Sequence, residues 1–275
     1  MQSTQKNTSS TTDEQALQIQ LLGGFELTWN GEPVGAFSNS RLQRLLTYLI
    51  LNQATPQSRQ SLAQLFWPDS GDSQARTNLR NALHLLRTHL PSVEQCIRSD
   101  NKSVTWLADA PAFVDLLAFD ARCQEGSKAT ESDAAQAAFA GAIAQYKGDL
   151  LPDCYEEWIL PIREEWQQRY YQTLQSLAQR LEQQRKYPEA IDIAQKILQV
   201  NPLQESNYAL LMSLQSAHGD RAAALSTYHN CQTMLIDELG VEPGPATQAI
   251  YERLLNLDAA EPVSYTHLRA HETSE

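Results

Sequence analysis

One stretch of the sequence groups hydrogen-bonding and cationic side chains with helical spacing. At 100° per residue on a helix over 73–90, amide, imidazole and hydroxyl groups share one face, and guanidinium groups share one flank. The face consists of Thr77, Asn81, His84 and Thr88, and the flank of Arg76, Arg80 and Arg87. A helix in the DNA major groove needs hydrogen-bonding groups at the bases and cations beside a phosphate strand. The pattern predicts that these residues contact DNA, with Arg80 the first choice for base contact.

Two further basic residues of the predicted DNA-binding set, Arg98 and Lys102, belong to a hairpin that follows this helix. Residues 96–99 and 104–107 have strand patterns and flank the polar segment 100–103. At the tip of this hairpin, Lys102 would reach the adjacent minor groove or its phosphates. Solvation without any ligand is the ordinary alternative for a lysine at a loop tip.

The charge distribution favours a nucleic-acid partner for the first half of the chain only. The chain has a formal net charge of −12. Residues 1–110 hold equal numbers of basic and acidic residues, so the whole acidic excess falls in residues 111–275. The stretch 41–102 holds eight Lys or Arg against four Asp or Glu, which suits contact with phosphates. From charge alone, a solvated basic face explains this stretch at least as well.

The elements that position these residues follow a recognisable order. Residues 17–29 contain two segments with period-two alternation, and Asn30-Gly31 predicts a hairpin turn because both residues tolerate positive φ. Asn39 or Ser40 can cap a first helix and Ser58 a short second one. The basic helix is the third, and the hairpin over 96–107 follows it. Small antiparallel sheets, three helices and a terminal hairpin predict a winged helix-turn-helix.

The second half has helical periodicity and an internal repeat. A period of 34 residues aligns Leu177 with Leu211 and Ala190 with Ala224, and this is the period of tetratricopeptide helix pairs. Such repeats form binding surfaces and seldom carry chemistry. The expected fold class is therefore mainly α, a winged helix-turn-helix followed by an all-α, tetratricopeptide-like domain.

Two details of this half bear on packing. The aromatic residues Trp158, Trp166, Tyr170 and Tyr171 are expected to be core residues. The proline turn that closes the second repeat, at 242–243, lies seven residues later than the first turn at 201–202 predicts.

The sequence contains no motif for catalysis, a metal or a cofactor. The four cysteines lie far apart, at positions 96, 123, 154 and 231. Their spacing argues against a zinc site or a disulfide framework and favours free thiols in a reducing cytoplasm. The acidic pairs 156–157 and 164–165 have no nucleophile with its base nearby in sequence, so we expect exposed charge and no enzyme.

Six short segments are similar to one known family. They are LGGFEL at 22–27, LFWPD at 65–69, ARTNLRNALHLLR at 75–87, YKGDLLP at 146–152, NPLQE at 201–205 and ELGVEP at 238–243. The first three resemble the DNA-binding domain of Streptomyces antibiotic regulatory proteins, an OmpR/PhoB-type winged helix. The last three resemble the bacterial transcriptional activator domain of that family. The likeness covers about residues 17–257.

The resemblance implies a mode of action. It implies an activator that binds direct repeats in double-stranded promoter DNA as a homodimer, with the third helix in the major groove and the hairpin as the wing. It also implies contact with RNA polymerase and its sigma subunit. The family's recognition segment coincides with residues 75–87.

We expect four segments along the chain. They are a disordered leader at 1–15, the winged helix-turn-helix at 16–110, the helical activator domain at 111–260 and a non-native tail at 261–275. The leader lacks the apolar run of a secretory signal, and no stretch approaches the roughly 18 apolar residues of a membrane span. A cytoplasmic location without membrane contact is expected. The tail resembles translated adapter sequence, so the native chain can extend past Ala260.

Two alternative functions stay open at this point. In the first, the tetratricopeptide-like repeats form a protein-interaction scaffold and the basic helix is only a solvated face, so the chain does not bind DNA. In the second, the basic helix recognises folded RNA, although the A-form major groove is too narrow for such a helix.

Overall fold

The structure is a computed structural model that describes residues 17–38 and 40–256. It consists of two compact units, and the division falls between Tyr170 and Tyr171. The expected leader and tail and the capping candidate Asn39 lie outside the described residues. The expected domain boundary between 110 and 111 stays a prediction. Within the described part of the chain, no helix has both the length and the apolar character needed to cross a membrane.

A small sheet opens the first unit. Strand β1 (Leu17–Gln20) pairs antiparallel with β2 (Glu26–Trp29), which pairs with the two-residue β3 (Glu32–Pro33). At the turn between β2 and β3, Asn30 and Gly31 have φ angles of 51° and 80°. Both values are positive, as the predicted hairpin turn requires.

Three helices and a second sheet follow, in the order that the sequence predicts. Helix α1 spans Ser40–Leu51, α2 spans Arg59–Phe66 and α3 spans Asp72–His89. The cap of α2 is confirmed, because the Oγ of Ser58 accepts the backbone N–H of Ser61 at 3.5 Å.

The wing hairpin belongs to a three-stranded sheet. Strand β4 (Gln57–Ser58) lies just before α2, and the single-turn helix α4 (Val93–Cys96) leads from α3 into β5 (Ile97–Ser99). Strand β6 (Ser103–Trp106) completes the hairpin, and the sheet order is β4-β6-β5. This sheet places the start of α2 beside the wing, so the winged helix-turn-helix is confirmed.

The apolar stripe of α3 holds that helix against the core. The buried residues of the stripe are Ala75, Leu79, Leu83, Leu86 and Leu90, and Ala82 is half-buried. Their spacing in the sequence predicts a single face, because at 100° per residue they span about 100° of the helix. Each fully buried leucine stabilises the fold by about 1.5–3 kcal/mol, which fixes the rotation of α3 about its axis.

The chain returns from the wing to the first sheet through β7 (Ala112–Val114), which lies parallel to β1. The sequence prediction contained only antiparallel pairs. The parallel pair escaped it because a three-residue strand has too few alternations to show a partner or a direction. The first sheet therefore has the order β3-β2-β1-β7.

A buried carboxylate fixes this return. Asp115 is only 5% exposed, and its carboxylate accepts the backbone N–H groups of Leu21 at 2.9 Å and Leu22 at 3.0 Å. Burial raises the pKa of Asp115, and these N–H donors act against that change by stabilising the charged form. Asp115 thus ties the end of β1 to the start of helix α5 (Asp115–Lys128).

The remainder of the first unit packs onto this frame. Helix α5 lies against α6 (Ser132–Gln145), and a loop leads to α7 (Leu160–Gln183). The ring centroid of Trp158 lies 5.3 Å from that of Tyr48 and 5.9 Å from that of Phe66. Trp166 and Tyr170 pack on the same core. The expected core packing of these three aromatic residues is confirmed, but it occurs in the first unit rather than in the helical repeats.

The second unit contains the predicted repeat. It consists of the end of α7 followed by α8 (Tyr187–Val200), α9 (Glu205–His218), α10 (Arg221–Leu239) and α11 (Pro245–Asn256). The paired residues Ala190 and Ala224 are both fully buried. Tyr171 is half-buried in this unit, and its hydroxyl donates to Asn207 Oδ1 at 2.8 Å.

The late second proline turn has a simple cause. Helix α8 has 14 residues whereas α10 has 19, which accounts for five of the seven extra residues. The other two lie between the end of α10 and the proline turn. Gly240 then ends α10 in the left-handed region, with φ of 69°. The period of 34 residues holds for the packed part of the repeat and not for its end.

Two helical glycines offer a matched test of the α5–α6 contact. A Cβ atom at Gly126 would lie 2.7 Å from the ring of Phe139, whereas at Gly141 it would meet the flexible end of the Arg122 side chain. Alanine is favoured over glycine in a helix by about 1 kcal/mol, but overpacking a core costs about 1–3 kcal/mol. We expect Gly126→Ala to lower the free energy of unfolding by up to about 2 kcal/mol, because the overpacking cost exceeds the gain in helix propensity. Gly141→Ala should leave it unchanged or raise it slightly.

Urea denaturation followed by tryptophan fluorescence measures this difference, because all five tryptophans of the chain lie in the first unit. The described close packing of α5 on α6 would be wrong if Gly126→Ala were as stable as Gly141→Ala.

Candidate nucleic-acid interface

Helix α3 presents the predicted residues to solvent. Asn81, His84 and Thr88 are exposed and Thr77 is half-buried. The flanking Arg76, Arg80 and Arg87 are also exposed. Because the apolar stripe faces the core, the polar face and the cationic flank project outward together.

The threonines on this face have a narrower role than their type suggests. The hydroxyl of Thr77 donates to the Ser73 carbonyl oxygen at 3.0 Å, and that of Thr88 donates to the His84 carbonyl oxygen at 2.9 Å. A hydroxyl has a single hydrogen to donate. In this arrangement both threonines can only accept hydrogen bonds from a ligand, so Arg80, Asn81 and His84 supply the donors of the face.

A groove of about 550 Å³ runs between α3, the start of α2 and the wing tip. It is lined by Ser58, Arg59, Gln60, Arg76, Leu79, Arg80, Asn101 and Lys102. The groove brings together three of the predicted residues, Arg76, Arg80 and Lys102, from two elements. Its lining includes no acidic side chain, so its electrostatic character suits an anion.

Arg59 also lines this groove, although its place in the sequence does not predict it as a contact residue. Its Nη1 donates to the Asp100 carbonyl oxygen at 2.7 Å, and its backbone N–H donates to the Lys102 carbonyl oxygen at 2.9 Å. Burial and then repulsion from Arg87 and Arg80 lower the pKa of Arg59, and the Asp100 carboxylate partly offsets this. The guanidinium groups of three helix residues thus concentrate positive charge beside the wing.

A signal for Arg59 was present in the sequence. The residue belongs to the basic stretch and directly follows the cap Ser58. What the sequence lacked was the pairing of β4 with β6, at Gln57 with Val104 and Ser58 with Ser103, which brings the start of α2 to the wing.

The wing tip is held by its own aspartate. The carboxylate of Asp100 accepts the backbone N–H groups of Lys102 at 2.7 Å and Ser103 at 2.8 Å. These N–H groups lower the pKa of Asp100. The closed turn leaves the Lys102 side chain exposed at the tip, in the position that the sequence predicts.

Arg98 is placed apart from the groove. It is exposed on β5 opposite Thr105, and it is absent from the groove lining. The wing therefore offers Lys102 at its tip and Arg98 on its outer strand as separate cations.

Arg44, in the basic stretch 41–102, forms an ion pair within the protein. The Nη1 of Arg44 lies 2.6 Å from the Glu156 Oε1, and the indole N–H of Trp158 donates to Glu156 Oε2 at 2.5 Å. This pair offsets the charge of Arg44. Arg44 belongs to the basic stretch that the sequence predicts to face phosphates. Its pairing with Glu156 could not be predicted from spacing, because the two residues lie 112 positions apart in the sequence.

The described residues show little that suits catalysis. No group of three or more His, Cys, Asp or Glu among them is arranged to hold a metal ion. The cysteines are buried free thiols, and burial raises the pKa of Cys96 and Cys231 to about 11, which keeps both in the weakly nucleophilic thiol form. Glu157, Glu164 and Glu165 are exposed as expected, whereas Glu156 is half-buried beside Arg44.

Several known proteins are similar to this chain in sequence, and one solved structure is similar in fold. Residues 114–255, more than half of the chain, match the family described as bacterial transcriptional activator domain. The regulatory protein AfsR of Streptomyces coelicolor is 28% identical over 257 residues, which are 89% of this chain and 25% of AfsR. The transcriptional regulatory protein EmbR of Mycobacterium bovis is 25% identical over 275 residues, covering 94% of this chain and 69% of EmbR. The chain thus spans only a quarter of the length of AfsR.

A solved structure of Mycobacterium tuberculosis EmbR in complex with a low-affinity phosphopeptide superimposes with a TM-score of 0.72. The match has 21% sequence identity and covers 88% of this chain and 66% of that one, and it supports the fold. The relatives confirm the resemblance to Streptomyces antibiotic regulatory proteins. With its match over residues 114–255, the chain belongs to the bacterial transcriptional activator domain family.

Proposed function

We propose that the protein is a sequence-specific DNA-binding transcriptional regulator, and more narrowly an activator. The observation that carries the proposal is the acid-free groove in which Arg59, Arg76, Arg80 and Lys102 lie beside the exposed polar face of α3. Relatives named as transcriptional regulators support the same conclusion.

The geometry of α3 suits the major groove of B-DNA. A helix with its side chains is about 10–12 Å across, and the major groove is about 12 Å wide. In our proposal Arg80 and Asn81 read base edges, since arginine pairs with guanine and asparagine with adenine through two hydrogen bonds. His84 lies one turn further along the same face, and the hydroxyl oxygens of Thr77 and Thr88 accept from the amino groups of adenine or cytosine at the base edges.

Arg76, Arg87 and Lys102 act as phosphate contacts in this arrangement, joined by Arg59 and by Arg98 on the wing. Contacts of this kind position the protein on the duplex and make its affinity fall with salt. The acidic second half of the chain would be repelled from the same phosphates. That half is free to serve protein partners.

The wider assembly is also part of the proposal. We place the protein in the cytoplasm on promoter direct repeats, as a homodimer that contacts RNA polymerase and its sigma subunit. The tetratricopeptide-like second unit, a fold that forms binding surfaces, supports a role in these protein contacts. No cofactor or catalytic step is involved.

Selection of duplexes from a random pool by the full chain, followed by affinity measurement on the enriched sequence, tests the proposal. We expect Arg80→Ala to weaken binding to that duplex by about 1–3 kcal/mol, or about 5–150-fold, and to relax specificity at one base position. Arg253→Ala is a matched control, because Arg253 is an exposed arginine in the second unit. Its affinity should equal that of the wild type.

Failure of the wild type to enrich any motif would defeat the regulator proposal and favour the scaffold alternative. Equal binding of duplex RNA of the same sequence would favour the RNA alternative instead.

The role of Arg59 gives a separate prediction. Arg59→Ala removes a cation from the groove and the hydrogen bond to the Asp100 carbonyl. We expect weaker binding across all sequences, a salt slope reduced by about 1, and faster amide hydrogen exchange at residues 99–103. Arg59→Lys should keep the salt slope, because it keeps the charge. An unchanged salt slope in Arg59→Ala would exclude Arg59 from the phosphate contacts.

A further inference from the structure

A second cleft lies on the other side of α3. It has a volume of about 390 Å³ and lies between the start of α1 and α3. Its lining includes Arg41, Arg44, Trp67, Asn78, Asn81 and Leu85. With Leu79 at zero, Asn78 and Leu85 fall at about −100° and −120°, whereas the Arg76, Arg80 and Arg87 flank falls at about 60° to 100°. The two clefts thus lie on opposite flanks of the exposed face.

Arg41 and Arg44 are the cationic residues that line this second cleft. The Arg41 guanidinium carbon lies 5.8 Å from the ring centroid of Trp67, and Trp67 itself is 8% exposed. A guanidinium over a fixed indole ring is held by a cation–π interaction. The charge of Arg44 is offset by Glu156, and the residues lining the cleft include no Asp or Glu.

Asn78 adds an oriented hydrogen-bond donor. Its Oδ1 accepts a hydrogen bond from Gln74 Nε2 at 2.9 Å. This bond fixes which end of the carboxamide is the acceptor, so the Nδ2 end is left to donate. Asn78 lies on the flank of α3 that faces Arg41, and it belongs to neither the predicted polar face nor the arginine flank.

We propose that this second cleft binds a DNA backbone phosphate through Arg41 and Asn78, on the strand opposite to the one that Arg76 and Arg87 contact. The inference rests on the proposed function. A helix that fills the major groove has one phosphate strand on each side of it. The cationic flank of α3 faces one strand, and α1 supplies the cation for the other.

Single methylphosphonate substitutions, which neutralise one phosphate at a time, test this inference on the enriched duplex. Wild-type full chain should lose affinity at positions on both strands. Arg41→Gln should become insensitive to one position on one strand, and Arg76→Gln to a position on the other strand. Between 50 and 200 mM salt, the affinity of the wild type should fall about threefold more than that of Arg41→Gln.

Arg41→Lys and Arg253→Gln are the controls. Arg41→Lys keeps the charge and should keep the wild-type salt dependence, which separates loss of a phosphate contact from loss of packing on Trp67. Arg253→Gln removes an exposed arginine of the second unit and should change neither strand's pattern. The urea midpoint of each variant shows that it is folded.

Three results would overturn the inference. Wild-type affinity and an unchanged methylphosphonate pattern in Arg41→Gln would exclude the second cleft while leaving the proposed function intact. Insensitive positions for Arg41→Gln and Arg76→Gln on the same strand would also exclude it. A wild type that binds no duplex would defeat the proposed function and this inference together.

Discussion

Burial of one leucine stripe on α3 is the constraint on which the proposed interface depends. Leu79, Leu83 and Leu86 are almost fully buried, so α3 cannot rotate without exposing them at a cost of several kcal/mol. That fixed rotation turns Asn81 and His84 to solvent and sets the arginine flank beside the wing. A groove and a polar face then arise from core packing and do not depend on the ligand.

Around this helix, hydrogen bonds join elements of the first unit that are far apart in the sequence. Asp115 ties the return strand to β1 through the amides of Leu21 and Leu22, and Arg59 ties the start of α2 to the wing tip. Glu156 binds Arg44 and removes one cation from the surface. The result is a surface on which positive charge lies beside both flanks of α3 and on the wing.

Local signals in the sequence were sufficient for much of this fold. The Asn30-Gly31 turn, the Ser58 cap and the α3 stripe each depend on neighbours within a few residues, and all are confirmed. The parallel β7 pairing, the Arg59 contact with the wing and the Arg44–Glu156 pair could not be found this way. The two side-chain contacts join residues 41 and 112 positions apart. Strand β7 is too short to show a pattern that would predict its pairing. The α3 part of the candidate interface was therefore predictable from the sequence, whereas the residues that α1 and α2 place beside it were not.

The most direct measurement of the central claim is a disulfide cross-link from α3 to a base. The native cysteines are buried, so a cysteine introduced at His84 can react selectively with a thiol tethered to a base in the major groove of the enriched duplex. The account predicts a cross-link with His84→Cys and none with Lys196→Cys, which places the thiol on the exposed side of α8. Equal cross-linking of the two variants, or none with His84→Cys, would contradict it.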